Sequence, residues 1–257
     1  MKKVIMIIIL MPVIVSLSLL TSLSKEQIKP GKKIVIALDA TWPPMEYVDK
    51  NYNIIGFSVD LMNAAAEEGG FTIEFRNTAW DGIFAGLEKN KYDAVCSSVT
   101  ITEERKKIMD FTIPYLTIGQ VVLVKKELNG LNELSMFAGK KVGARMGTSG
   151  VYEIKKYSNI IFEPYDELAI AVEDLAQNKI DAVVCDNSLA AFYVIHSPEY
   201  RSLLKIVGTP LAEENYGVAV KKGNKEIVDI INDGLRKVKA KGIDKELENK
   251  WLKEPVK

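Results

Sequence analysis

Residues Asp93 to Tyr115 read DAVCSSVTITEERKKIMDFTIPY, and the reading of the whole chain turns on them. The apolar Ala94-Val95 predicts a buried strand. It stops at a cluster of small hydroxyls, Ser97, Ser98, Thr100 and Thr102, and a charged helical start follows at Glu103-Glu104-Arg105-Lys106-Lys107. Thr100 with Glu103 has the spacing of a capping box, and Thr102 is the alternative N-cap. In both cases Arg105 falls in the first helical turn. The helix dipole is positive there, so a cation is badly placed unless an anion answers it. Free backbone N–H groups, hydroxyls and a guanidinium fork at one strand-to-helix junction make a receptor for a small carboxylate. The competing reading is a surface ion pair between Arg105 and Glu104 or Asp110.

Working outward, Lys33 to Leu38 is rich in β-branched residues and predicts a strand. Asp39 to Pro44 reads as a loop, because Pro43 and Pro44 forbid continued regular structure. A helix over Gly56–Glu68, a strand over Phe71–Phe75 and a helix over Gly82–Asn90 complete an alternating α/β unit. The pattern L-x-x-N-K-x-D-A-V then occurs twice, from Leu87 to Val95 and from Leu175 to Val183. One such repeat implies two similar halves rather than a solenoid. A new strand at Lys141–Ala144 enters the turn Arg145 to Gly150. Tyr216–Val220 reads as a strand and Lys225–Trp251 as amphipathic helix.

At the start, Met1-Lys2-Lys3 precedes an apolar run from Val4 to Leu20 and small residues at Ser22 and Ser24. This is the pattern of an export signal, 1–24, with an uncleaved anchor as the lesser alternative. No cysteine follows the run, so a lipid anchor is not expected, and no membrane-spanning or signalling segment is read after Lys257. Lysine plus arginine equals aspartate plus glutamate at 34 each, so no global field favours nucleic acid. Cys96 and Cys185 lie on separate buried-looking strands and read as free thiols. His196 is the single histidine, which leaves no basis for a metal site or a Ser-His-Asp triad. No cofactor is implied.

The segments Ser98-Val99-Thr100-Ile101-Thr102-Glu103-Glu104-Arg105 and Asp110-Phe111-Thr112-Ile113-Pro114-Tyr115 resemble the signature of the family 3 solute-binding proteins, receptors of ABC importers. The resemblance runs from about Lys33 to Trp251. It implies a two-lobed, type II periplasmic binding protein-like α/β fold, with mainly parallel sheets flanked by helices and joined by a two-strand hinge. Lobe 1 would comprise 25–118 plus 213–257, and lobe 2 would comprise 119–212. It also implies a monomeric, periplasmic, non-enzymatic protein that hands an L-amino acid to an inner-membrane permease.

Ligands of open α/β sheets sit beyond the carboxyl ends of the strands. Four such ends carry suitable residues: Asp39 to Trp42, Ser97 to Arg105, Arg145 to Ser149, and Cys185-Asp186. By the resemblance, Arg105 with backbone near Thr100 and Thr148 would take the α-carboxylate, and Asp186 with Ser98 the α-ammonium. Trp42 and Trp80 would sandwich the side chain. The plainer alternatives are a turn-forming Asp186, a turn Thr148, tryptophans packed in the core, and Arg145 in a surface pair. Ser58 stands where members that bind basic amino acids commonly carry an acid, and Arg145 where glutamine-binding members carry a lysine. Pairing of Arg145 with Asp39 would leave a near-neutral pocket suited to an amide. Glutamine is therefore expected first, arginine or lysine second, and glutamate third. A dehydratase-like enzyme on the same scaffold would have to use Glu46 or Asp39, and nothing in the sequence marks either with a shifted pKa.

Overall fold

A computed structural model describes residues 31–253. The export-signal expectation at 1–24 lies outside the described residues.

Two sheets organise the chain. In the first, the strands run in the order Thr72–Asn77, Lys33–Leu38, Ala94–Val95, Ala219–Lys221 and Met109–Phe111. The first three are mutually parallel, and Ala219–Lys221 is antiparallel to both of its neighbours. In the second sheet the order is Ile161–Tyr165, Lys141–Arg145, Ala182–Asp186, Leu116–Lys125 and Leu204–Val207. Again three parallel strands come first, and antiparallel ones follow. Helices cover the sheets, as parallel crossovers require.

The internal repeat explains this likeness. Each copy begins in a helix, Ile83–Glu88 or Leu168–Ala176. The helix is stopped by an asparagine in the left-handed region, Asn90 at φ 54° and Asn178 at φ 60°. Asparagine tolerates that conformation far better than β-branched residues do. Asp93 and Asp181 then act identically. The Asp93 carboxylate accepts from Val35 N and the Asp181 carboxylate from Lys141 N, both at 2.8 Å. Each aspartate thus ties its own strand to the start of the parallel neighbour, and the repeat is a register device.

The chain crosses between the sheets twice. Leu116–Lys125 leaves the first half, and Glu213–Tyr216 returns antiparallel to it, with Glu213 opposite Gly119 and Tyr216 opposite Leu116. Further along the same long strand, Gln120 lies opposite Asp186.

Three local expectations change. Thr41–Trp42 is not loop but a short strand in a small antiparallel sheet with Glu46–Val48 and Ile54–Ile55. The two prolines occupy the turn between strands, where no ladder donor is needed. Tyr216–Val220 is not one strand: it divides at Gly217-Val218, so Tyr216 belongs to the crossing and Ala219 to the first sheet. The last helix ends at Lys241, where Gly242 takes a left-handed φ of 74°, and a separate helix Ile243–Glu248 follows.

Cys96 and Cys185 are free and buried. Burial pushes both thiols well above the usual range. Among the described residues no helix is long and apolar enough to cross a membrane.

Helix Phe57–Gly69 packs closely on Lys225–Lys241, and Gly234 makes that approach possible. A Cβ there would collide with the backbone carbonyl of Ala65. Gly234→Ala is therefore expected to destabilise by about 1–3 kcal/mol despite its gain in helix propensity. An unchanged denaturation midpoint would contradict this close packing.

Candidate functional site

All nine residues singled out from the sequence (Asp39, Trp42, Trp80, Ser98, Thr100, Arg105, Arg145, Thr148 and Asp186) line one cavity of about 350 Å³ between the two sheets, together with Ser97 and Ser149.

Arg105 comes from helix Glu103–Ile108, whose N-cap is Thr102: the Thr102 hydroxyl accepts from Arg105 N at 3.1 Å. The capping box from Thr100 does not form, because Thr100 is drawn into a bridge with Tyr216. The surface pair of Arg105 is also absent, since Asp110 is taken by Lys222 at 2.7 Å and by Gly223 N. Instead the Arg105 side chain is buried. It donates to Thr100 O at 2.8 Å and, across the cavity, to Gly147 O at 2.9 Å. Its guanidinium lies 5.7 Å from the Trp80 ring and 5.3 Å from Phe84. Burial lowers its pKa, while Tyr152, Glu214, Asp186 and Tyr216 oppose that shift. A guanidinium has five donors, and these two carbonyls leave the others open to an anion.

Arg145 and Asp39 meet at 2.6 Å, each side chain 4% exposed. The geometry around them is nearly saturated. Arg145 also donates to Asp166 O at 2.7 Å, Glu167 at 3.2 Å and Thr41 Oγ1 at 3.2 Å. Asp39 accepts in addition from Thr41 Oγ1 and Trp80 N, both at 2.8 Å, and Ser97 Oγ accepts from Asp39 N. Arg145 also lies 5.7 Å from the Trp42 ring. Each tryptophan thus faces a guanidinium of the chain itself and is tied to the opposite side. Trp42 Nε1 donates to Asp186 at 3.0 Å and Trp80 Nε1 to Met146 O at 3.2 Å. Thr148 Oγ1 turns back to Arg145 O at 2.7 Å and holds the turn.

Asp186 is not a turn-capping aspartate, for its side chain caps nothing in the helix it precedes. Its carboxylate accepts from Trp42, Gln120 and Tyr216. Burial nevertheless raises its pKa to about 6, with Glu214 adding to the rise and the three donors opposing it.

Three polar residues that hold the cavity-lining side chains from behind escape a reading of local sequence. Gln120 Nε2 reaches Ser149 Oγ at 3.1 Å as well as Asp186, and Tyr216 donates to Asp186 from the returning strand. Glu214 accepts from Ser149 Oγ at 2.7 Å and Thr100 Oγ1 at 3.0 Å. All three sit on the crossing strands. The signal that finds them is the pairing of those strands, which brings residues about a hundred positions apart into one layer.

Glu46 corrects another expectation. It is completely buried directly across from Trp42, outside the cavity wall, and burial pushes its carboxyl up to about 8. The hydroxyls of Ser58 and Ser98 beside it lower the value in part, and Asp39 and Asp186 raise it further. The sequence offered no mark of this shift, because it arises from enclosure. A carboxyl with a raised folded pKa binds a proton that the unfolded chain has lost, so stability falls as pH climbs from the unfolded value toward 8. Wild type is expected to lose on the order of 3 kcal/mol between about pH 5 and pH 8 through this group. Glu46→Gln should flatten that slope in denaturant titrations. Parallel slopes in both proteins would refute a buried neutral Glu46.

Among the described residues no cluster of three or more His, Cys, Asp or Glu side chains could hold a metal. His196 lies away from the cavity, against Phe192.

Comparison with known proteins agrees with this geometry. Residues 34–254 match the bacterial extracellular solute-binding proteins, family 3. A probable histidine-binding protein of Neisseria gonorrhoeae is 36% identical over 216 residues, 83% of this chain and 80% of the relative. An ancestral arginine-binding protein bound to glutamine superposes with a TM-score of 0.81 at 36% identity, covering 88% of this chain and all of that one. The arginine-, lysine-, histidine-binding protein ArtJ of Geobacillus stearothermophilus superposes at 0.79 with 33% identity, over 88% of this chain and 97% of that one. With two α/β halves joined by paired crossings and a polar cavity between them, the chain has the type II periplasmic-binding fold and belongs to the family 3 extracellular solute-binding proteins.

Proposed function

We propose that this protein is an exported, monomeric, non-enzymatic receptor that encloses one L-amino acid with a polar, uncharged side chain, glutamine first, and presents it to the membrane permease of an ABC importer. The buried Asp39–Arg145 pair carries the reading. An incoming carboxylate side chain would meet Asp39 and an incoming ammonium or guanidinium would meet Arg145, whereas an amide opposes neither. Arg105 keeps donors for the α-carboxylate, and Asp186 with Ser98 faces the α-ammonium. The two bodies proposed to close on the ligand are 25–118 with 213–257, and 119–212, turning on the strand pair Leu116–Gly119 and Glu213–Tyr216; of these, 25–30 and 254–257 lie outside the described residues.

Arginine is the second reading, and a specific observation favours it. Trp42, Asp39 and Glu167 already surround one guanidinium, that of Arg145, so the walls suit a cationic group if Arg145 moves aside. The names of the relatives, which include histidine-, arginine- and lysine-binding proteins, support an amino acid without choosing among these. A dehydratase-like role finds less support: Glu46 is sealed from the cavity and Asp39 is committed to Arg145.

Calorimetric titration with glutamine, glutamate, arginine, lysine and histidine tests the assignment. Arg105→Ala should weaken every ligand alike, by about 2–5 kcal/mol, because the carboxylate it would hold is common to all. Near-wild-type affinity would remove Arg105 from the site.

Arg145→Leu should act on the side chain alone. It unmasks Asp39 and moves preference from glutamine toward arginine or lysine by about 1–3 kcal/mol. The same variant strands a buried carboxylate, so its melting temperature should fall and recover selectively with the cationic ligands. Unchanged ratios among the ligands would sink the specificity argument, and tightest binding of arginine by wild type would reverse its order.

A further inference from the structure

Behind the cavity wall lies a second polar layer that the proposed ligand meets only through Ser98. The carboxyl oxygens of Glu46 and the hydroxyls of Ser58, Ser98 and Tyr115 are all buried, and none makes a hydrogen bond of normal geometry within the protein. Side-chain atoms so placed are uncommon in folded proteins, and each needs a reason. Only Ser98 belongs to both layers. It lines the cavity, it sits beside Glu46, and its backbone holds a left-handed φ of 48°, a strained conformation for serine. Glu46 in turn stands directly across the small sheet from Trp42, which donates to Asp186. The groups facing Glu46 are Asp39 and Asp186 from the cavity side and Cys96, Tyr115 and Tyr216 from behind. No cation is among them.

We propose that Glu46 is a positioning residue for the amino end of the ligand: it takes the Ser98 O–H, so that the Ser98 lone pairs face the cavity opposite Asp186 and accept from an α-ammonium. This rests on the amino-acid reading above and extends it to a residue that never meets the ligand. The unpartnered Ser98 hydroxyl and Glu46 carboxyl then have a purpose, with Ser58 and Tyr115 beside them. They form a buried layer whose one outlet is Ser98. A cation entering between Ser98 and Asp186 also supplies the charge that the Glu46 surroundings lack. Its field favours the ionised carboxyl, so binding draws the Glu46 proton away to the buffer, and affinity should rise with pH as that proton is lost, up to the pH at which the ligand amine itself deprotonates.

The test uses two pairs of probes: L-glutamine with 4-carbamoylbutanoate, and L-arginine with 5-guanidinopentanoate, the second of each pair lacking only the amino group. Glu46→Leu should weaken the amino acid by about tenfold and leave its desamino partner nearly unchanged, the size of one lost buried polar contact. Ser98→Ala should do the same, and the double variant should lose no more than either single one, since both act on one contact. Glu46→Gln, which can still accept the Ser98 O–H, should keep most of the affinity. Its binding should not vary between about pH 7 and pH 8.5, where wild type climbs; Asp186 titrates below that window at about 6. Equal losses for amino acid and desamino probe would make Glu46 a merely structural residue and overturn the proposal. Additive losses in the double variant, or a flat pH profile in wild type, would overturn it as well. If Glu46→Leu does not fold, the Gln variant and the pH profile still decide. Failure of wild type to bind either amino acid would instead refute the amino-acid reading itself.

Discussion

The contact between Asp39 and Arg145 is the constraint on which the rest of the cleft depends. Two charges are withdrawn from water at 2.6 Å, each 4% exposed, and such a pair is tolerated only when its remaining donors and acceptors are also met. Here they are. Thr41, Trp80 N, Asp166 O and Glu167 complete the two coordination shells, and the first two belong to segments that shape the cavity. Holding Trp80 N sets the loop that carries the Trp80 ring. Holding Thr41 sets the strand that carries Trp42. One ion pair therefore positions both aromatic walls and joins the two sheets.

The same reasoning explains why two other buried carboxyls, one lining the cavity and one behind its wall, behave differently. Asp186 has three neutral donors, which offset only part of the burial, and its carboxyl rises to about 6. Glu46 has neither a cation nor a hydrogen bond of normal geometry, and it rises to about 8. The difference follows the quality of the partners rather than depth, for both are buried.

Much of this arrangement was legible in the sequence, and the parts that were not share a cause. Arg105, Arg145, Asp186 and the hydroxyl cluster sit at the ends of strands, where local pattern marks both the strand and its end, so general rules for α/β sheets place them. Gln120, Glu214 and Tyr216 carry no such mark. Gln120 begins a run of valine and leucine that reads as plain core. It enters the site because Leu116–Lys125 pairs antiparallel with Ala182–Asp186, and pairing is a property of the fold, not of the segment. Glu46 follows Pro43-Pro44-Met45 and looks like a surface acid. Its burial comes from a three-strand sheet whose short strands, two or three residues each, fall below the length at which periodicity can be read. The break at Gly217-Val218 was hidden for the same reason: Tyr216 and Ala219 belong to different sheets within one apolar stretch.

The repeat shows how a duplicated frame can carry an unequal site. In each copy an asparagine stops the helix in the left-handed region and an aspartate fixes the register of the core strand that follows. The residues three places after Val95 and Val183 are Ser98 and Asp186, so equivalent places of the two copies both open onto the cavity. Identical frames alone would present identical chemistry from both sides, which suits a symmetric ligand and not one with a cationic and an anionic end. Here one copy offers a hydroxyl in a strained backbone, and the other a carboxylate. Arg105 and Arg145 stand on opposite sides with different partners. The frame supplies matching positions, and the substitutions at those positions supply the polarity. On the proposed amino-acid reading, recognition resides in how the two copies differ, while what they share does no more than bring those differences face to face.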